Sequence, residues 1–298
     1  MIKTPFGPCE RRFFQVGGKM ILSFHPLYEA DKNITCAGRE PNAEDLAAVQ
    51  AAAAVVLPQG CYQSLYEMAR ANCRHVFPNY DARFRYPDKI GQIKLFREFS
   101  MPHPATELFL NLELFHQYFR QPSSTGSLRY PLVFKFNWGG EGETVFLINS
   151  KDELSRLLQK TAEFEKSGQQ GFLLQEFIPC RNRTLRVVII GQRLISYWRI
   201  QQQENDGGFY TNLGKGAIID ADGEPELQQK AVALVKQICH KTNINLAGLD
   251  LIFSAGIDDP DPMLLEINYF FGRKGLGGSE AYYQILLGEI QSWITGLG

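Results

Sequence analysis

Two short apolar segments near the C-terminus carry acids in positions that constrain the whole fold. Leu249-Asp250-Leu251-Ile252-Phe253 and Met263-Leu264-Leu265-Glu266-Ile267-Asn268 both read as strands, yet each holds a carboxylate among leucines and isoleucines. Charges are rarely buried unless they are paired or coordinate a metal. Side chains alternate along a strand, so Glu266 and Asn268 share one face, and Asp250 joins them if the two strands are neighbours. Two carboxylates and an amide carbonyl, with room for water and phosphate oxygens, suit Mg²⁺, which keeps several waters and uses few protein carboxylates.

A second feature is Lys135-Phe136-Asn137-Trp138-Gly139-Gly140-Glu141-Gly142. A strand delivers a lysine, and the glycines after it let backbone N–H groups approach an anion closely. No Gly-Lys-Ser/Thr opens a helix and no GxGxxG precedes one, so this is neither a P-loop nor a dinucleotide fingerprint. An ordinary glycine hairpin with an exposed lysine is the alternative. Third, Arg186 and Arg199 lie in apolar strands joined by the tight turn Gly191-Gln192-Arg193, with Asn212, Arg273 and Lys274 further along. A guanidinium binds oxyanions bidentately, although arginines also stripe solvent-facing strands.

The surrounding pattern supplies the frame. Met20–Phe24 is a short strand, Asn42 opens an alanine-rich helix with Glu44 and Asp45 in its first turn, and a second helix precedes His75-Val76-Phe77-Pro78. Such alternation predicts a small α/β unit. Ile90, Ile93, Phe96 and Phe99 recur at helical spacing, and a further helix is expected around Leu108–Tyr118. Leu132–Phe136 and Thr144–Ile148 read as strands, and Ser150 with Glu153 opens another helix. Phe172–Ile178, Leu185–Ile190 and Leu194–Arg199 read as strands, Leu227–His240 as an amphipathic helix, and Ser279, an expected N-cap, begins a final one.

Composition narrows the function classes. The 298 residues hold 31 Lys+Arg against 32 Asp+Glu, a net charge of −1. That balance argues against a duplex-binding protein, which needs a basic excess, and no partnership with nucleic acid is expected. The longest apolar run, Leu46–Leu57, is interrupted by Gln50 and falls well short of the ~20 residues a bilayer requires, so no membrane association is expected. Six cysteines are scattered without a CxxC pair, and Cys9, Glu10 and Arg11 break any early apolar run. These features suggest a cytoplasmic protein of a reducing compartment, with structural cysteines.

The order of the features is more specific than any one of them. A lysine before a helix, a lysine before a glycine-rich hairpin, Gln175-Glu176-Phe177-Ile178, two strand arginines, then Asp and Glu-x-Asn: this resembles the ATP-grasp superfamily, with glutathione synthetase and the RimK-like ribosomal-protein glutamate ligases nearest in pattern. The resemblance covers about residues 20–298. It implies an α/β and α+β ATP-grasp fold with a peripheral extension at 1–19, an N-terminal α/β subdomain at 20–87, a central lid subdomain at 88–171 and a C-terminal subdomain with the metal site at 172–298. By the same resemblance, Lys89 and Lys135 would hold nucleotide phosphates beneath a flap of Gly139, Gly140 and Gly142. Glu176, Phe177 and Ile178 would line the adenine, Asn212 would belong to the nucleotide loop, and Arg186 and Arg199 would be catalytic. Asp250, Glu266 and Asn268 would ligate the metal. The implied cofactors are ATP with Mg²⁺ or Mn²⁺. The implied activity is ligation of a carboxylate to an amine or thiol, on small molecules or a peptide or protein terminus, with homo-oligomers common among relatives. A phosphotransferase and a non-catalytic ATP-binding module are the alternatives.

Two positions depart from the family pattern. Thr184 stands where relatives often have Asp, and Tyr269–Glu280 replaces a short small-Ser-Pro continuation after the metal asparagine. The latter segment would lie beside the transferred phosphate and help define the acceptor, or would simply be a glycine loop before the last helix.

Overall fold

A computed structural model of the chain describes residues 20–120, 129–140, 143–201 and 217–297. Two compact units divide it, one made of the N-terminal residues to Asn79 together with the chain from Glu280 onward, the other of Tyr80–Ser279.

In the first unit, β1 (Ile21–Ser23), β2 (Lys32–Asn33), β3 (Ala54–Val56) and β4 (His75–Phe77) form a sheet in the order β2-β1-β3-β4, parallel throughout. Helices α1 (Ala43–Ala51) and α2 (Gln63–Asn72) make the crossovers that parallel strands require. Asn42 starts α1 because its side chain accepts from the Glu44 and Asp45 N–H groups while Asp45 reaches back to the Asn42 N–H.

The second unit holds two antiparallel sheets. β5 (Thr106–Phe109), β6 (Leu132–Phe136), β7 (Val145–Ile148) and β8 (Phe172–Glu176) are ordered β5-β8-β6-β7. One face of this sheet is aromatic. Phe134, Phe136 and Phe172 are buried there against Phe109, Phe115 and Leu154, beneath α5 (Leu112–Arg120) and α6 (Lys151–Lys166), and the Phe134 and Phe172 rings stack at 5.0 Å. Lys135 and Gln175, offset by one residue, therefore belong to the opposite face. The expected helix near 108–118 is shorter than its pattern, because Thr106–Phe109 is drawn into the ladder with β8. That pairing joins segments far apart in sequence, which local periodicity does not report.

The second sheet runs β11-β10-β9-β12-β13, from β9 (Arg183–Ile190), β10 (Arg193–Ile200), β11 (Ile218–Asp220), β12 (Leu246–Ile252) and β13 (Met263–Asn268). Leu185, Val187, Trp198, Leu249 and Leu251 are fully buried on the face that α7 (Pro225–Thr242) covers with Ala231, Val235 and Ile238. After the short helix α3 (Asp81–Arg85), helix α4 (Asp88–Glu98) of the same unit touches both sheets, at β8 and at β13. Helix α8 (Gly278–Thr295) belongs mostly to the first unit, and Ser279 lies inside its first turn rather than capping it.

Candidate functional site

Register decides what the face of the second sheet away from α7 presents. Asp250 lies opposite Arg186 on β9 and opposite Glu266 on β13, Gly248 lies opposite Asn268, and Arg199 lies opposite Thr184. Directly paired residues share a face, so these side chains gather in one patch.

Asp250 is its centre. It is buried, and Arg186 Nε and Nη2 grip its carboxylate bidentately, the second contact at 2.8 Å. Arg199 Nη2 adds a contact at 2.7 Å and Asn268 Nδ2 donates to Oδ2 at 3.1 Å. Burial alone would raise the Asp250 pKa, but the two guanidinium groups hold it below the usual carboxylate value. The departure at 184 also finds a use, since Thr184 Oγ1 accepts from Arg199 Nε at 3.3 Å and Nη2 at 3.0 Å. A neutral hydroxyl there orients Arg199 without cancelling its charge.

Gly248 leaves room for this packing. A β-carbon at that position would lie 3.0 Å from Arg186 Nη1 and 3.2 Å from the Phe271 Cβ. Gly248→Ala is expected to cost about 1–3 kcal/mol of overpacking strain, read by urea denaturation, and an unchanged midpoint would refute this packing role.

The two lysines complete the electrostatics. Lys89, on the first turn of α4, is buried and donates from Nζ to the Trp138 carbonyl at 3.0 Å and the Gly139 carbonyl at 2.8 Å. The β6–β7 turn is thus tied at its base to α4. Asn137 strengthens the tie, because its Oδ1 accepts from the Ile90 N–H at 2.8 Å. Gly139 has φ +78° and its β-carbon would strike the Thr144 side chain, so the turn needs glycine there. Lys135 Nζ makes no hydrogen bond to the described residues, and burial lowers its pKa to about 8, with Glu266 opposing that shift, Lys89 adding to it and Asp250 opposing it. Lys89 is lowered for the same first reason, and Glu266 again counters it.

Glu266 is half-buried and its carboxylate makes no hydrogen bond to the described residues; Asn268, with its amide nitrogen on Asp250, keeps its carbonyl oxygen uncommitted. Among the described residues no group of three or more His, Cys, Asp or Glu side chains is placed to hold a metal ion. A hard divalent cation fits this patch through one free carboxylate and one amide carbonyl, with Asp250 adjacent but occupied by its arginines.

The structure therefore gathers Arg186, Arg199, Asp250, Glu266 and Asn268 on one sheet face, with Lys89 and Lys135 in electrostatic range. Glu176 is exposed at the end of β8, and Phe177 and Ile178 are half-buried beyond it. Gly140 is exposed beside Gly139, whereas Gly142 and Asn212 lie outside the described residues. The loop after β13 carries a 3₁₀ turn, Lys274–Leu276, whose Gly275 lies directly against the Tyr197 ring. Gln92, whose side-chain amide bonds the backbone of Ile267, also belongs to this region, and no local sequence pattern announces it.

The RimK-like ATP-grasp domain family matches residues 87–288. The chain belongs to that family. Among solved structures, this RimK-like chain is similar to a RimK-domain ATP-grasp protein from Sphaerobacter thermophilus, with TM-score 0.56 and 16% identity over 81% of each chain. It is also similar to D-alanine–D-alanine ligase from Bacillus anthracis, with TM-score 0.55 and 14% identity over 89% of this chain and 84% of that one. An L-amino acid ligase from Bacillus licheniformis aligns with TM-score 0.55 and 15% identity over 89% of this chain and 63% of its own. At these identities the likeness concerns the ATP-grasp fold. No curated protein matches the sequence. Among the described residues no helix is long and apolar enough to cross a membrane.

Proposed function

We propose that this ATP-grasp chain is an ATP- and Mg²⁺-dependent ligase that joins a carboxylate to an amine through an acyl phosphate. One observation carries the reading: Lys89, Lys135, Arg186 and Arg199 converge on Asp250 and Glu266, four cations against two anions, beside an amide carbonyl. The excess of two positive charges suits a polyphosphate, and the free carboxylate suits the cation that accompanies it.

In this reading Lys89 and Lys135 hold phosphate oxygens, Lys89 exchanging its turn carbonyls for them. The carboxylate of the first substrate attacks the γ-phosphorus, the bond to the β-phosphate oxygen breaks, and ADP leaves. The second substrate's amine then attacks the acyl carbon, phosphate departs, and the amine loses its proton. Arg186 and Arg199, fixed on Asp250, aim their remaining N–H groups at the oxygens that gain charge in both steps. A divalent cation held by Glu266 and Asn268 would supply further charge neutralisation on the phosphates. No side-chain nucleophile is needed. The amino-acid ligases among the chain's structural neighbours support an acid and an amine as substrate classes.

The test is phosphate release from ATP across a panel of carboxylates and amines, with product mass spectrometry and hydroxylamine as a trap. A hydroxamate is expected; a stable phosphorylated product would mean phosphotransfer instead.

Lys135 gives a pH signature. Its lowered pKa leaves it part-neutral above about 8, whereas a phosphate partner would restore the ammonium. Metal-free ATP binding at pH 8.5 should therefore take up more than about half a proton. Calorimetry in buffers of different ionisation enthalpy measures this, and Lys135→Met should abolish it. For folding the sign is opposite to a paired lysine: the buried charge opposes the native state below about 8, and stability rises as pH climbs from there towards 10.5.

A further inference from the structure

Gln92 sits one turn after Lys89 on α4, on the same side of the helix, and is half-buried. Its Nε2 donates to the Ile267 carbonyl at 2.9 Å, and its Oε1 accepts from the Ile267 N–H at 2.8 Å. The side-chain amide thus presents to β13 the donor and acceptor that another strand would present.

Ile267 is the residue between Glu266 and Asn268. β13 is the outer strand of its sheet, paired on one side by β12 alone, and an edge strand leaves its outward N–H and C=O groups without a ladder partner. The ladder is also irregular immediately upstream: Asp250 pairs with Glu266 but Leu251 pairs with Leu264, so Leu265 is an extra, bulged residue. Bulges bend a strand and re-aim the side chains that follow. A single hydrogen bond would leave the peptide free to swing about it. Two antiparallel bonds to one residue fix both position and tilt.

The geometry points to Gln92 as a positioning residue that locks the Ile267 backbone, and through it the Glu266 and Asn268 side chains, in register with Lys89. It touches no reacting group. Its effect is to make the phosphate-holding helix and the cation-holding strand one rigid piece, so that nucleotide and metal are bound cooperatively. This inference rests on the assignment of Lys89 to phosphate and of Glu266 and Asn268 to the divalent cation.

The test uses the full chain and the ratio of ATP affinity with Mg²⁺ to ATP affinity in EDTA, both by calorimetry. Gln92→Leu, which keeps the volume and deletes both bonds, should leave metal-free ATP affinity within about twofold and cut the Mg²⁺ enhancement by about 10- to 100-fold, the usual loss when a metal ligand's support is removed. Gln92→Glu keeps the shape and the acceptor but, as a carboxylate, loses the donor; it should show a loss in the same direction and serves if the leucine variant does not fold. In a Glu266→Gln background, replacing Gln92 should have no further effect on the enhancement. Equal losses with and without metal, or effects that add in the double variant, would overturn the positioning role. If Glu266→Gln alone leaves the enhancement intact, the metal assignment itself falls, and that result is distinct from a silent Gln92 variant.

Discussion

Replacing Glu266 with Gln should lower turnover on the order of 100- to 1,000-fold while leaving folding almost untouched. Removal of one charge-stabilising group at a reacting centre has that scale of effect. The fold depends on the side chain only through its charge, which favours the buried Lys89 and Lys135 ammonium groups, because Glu266 is half-buried and makes no hydrogen bond to the described residues. Its loss also relieves nothing structural in Asp250, which is satisfied by Arg186, Arg199 and Asn268. Stability should therefore fall by no more than ~1 kcal/mol in urea denaturation, the scale of a partly exposed ion pair. A variant with wild-type Mg²⁺-dependent turnover would remove Glu266 from the cation site.

Asp250 should behave in the opposite manner. Asp250→Ala strips the shared counter-charge from buried Arg186 and half-buried Arg199, leaving their guanidinium groups desolvated and unpaired. Breaking one side of a buried ion pair costs about 3–5 kcal/mol, so this variant should lose that much stability as well as activity. The carboxylate's depressed pKa fixes the pH window. Its stabilisation is present throughout the neutral range and above the ordinary carboxylate value of 3.8, and fades only as pH falls through the lower folded-state value. A loss under about 1 kcal/mol at pH 7 would mean that the arginines find other partners and that Asp250 is not the organising charge.

These contrasting expectations show what the sequence could and could not convey. The acids were visible because an Asp or Glu inside a Leu/Ile strand is costly, and β13 has the bounds that its pattern indicates, Met263–Asn268. β6 is likewise bounded as read, since Leu132–Phe136 is wholly buried between a helix-covered aromatic face and the face that carries Lys135. The pairing of Asp250 with Arg186 was not visible, because it depends on the register of strands whose paired residues lie 64 positions apart. The same long-range register gives the Asp250 carboxylate its four N–H donors, from Arg186, Arg199 and Asn268, which its own strand does not announce. Gln92 was silent altogether: a glutamine on a helix has no distinctive pattern until a strand edge is laid beside it. Leu108 and Phe109 read as the start of a helix, and the pairing with β8 makes Thr106–Phe109 a strand instead.

The loop Tyr269–Glu280 gains a partial role. Gly275 seats the 3₁₀ turn on the Tyr197 ring, and Tyr197 pairs across the strand with Arg186. The 3₁₀ turn of the segment is thereby held beside the arginine patch.

In the proposed reaction a substrate carboxylate becomes an acyl phosphate at the Lys89, Lys135, Arg186 and Arg199 cluster. Once the acid substrate is known from the panel, its carboxylate can be labelled with ¹⁸O and the released phosphate examined by mass spectrometry. An acyl-phosphate path transfers one labelled oxygen to each phosphate released. Unlabelled phosphate, or a product that retains the phosphoryl group, would contradict the account.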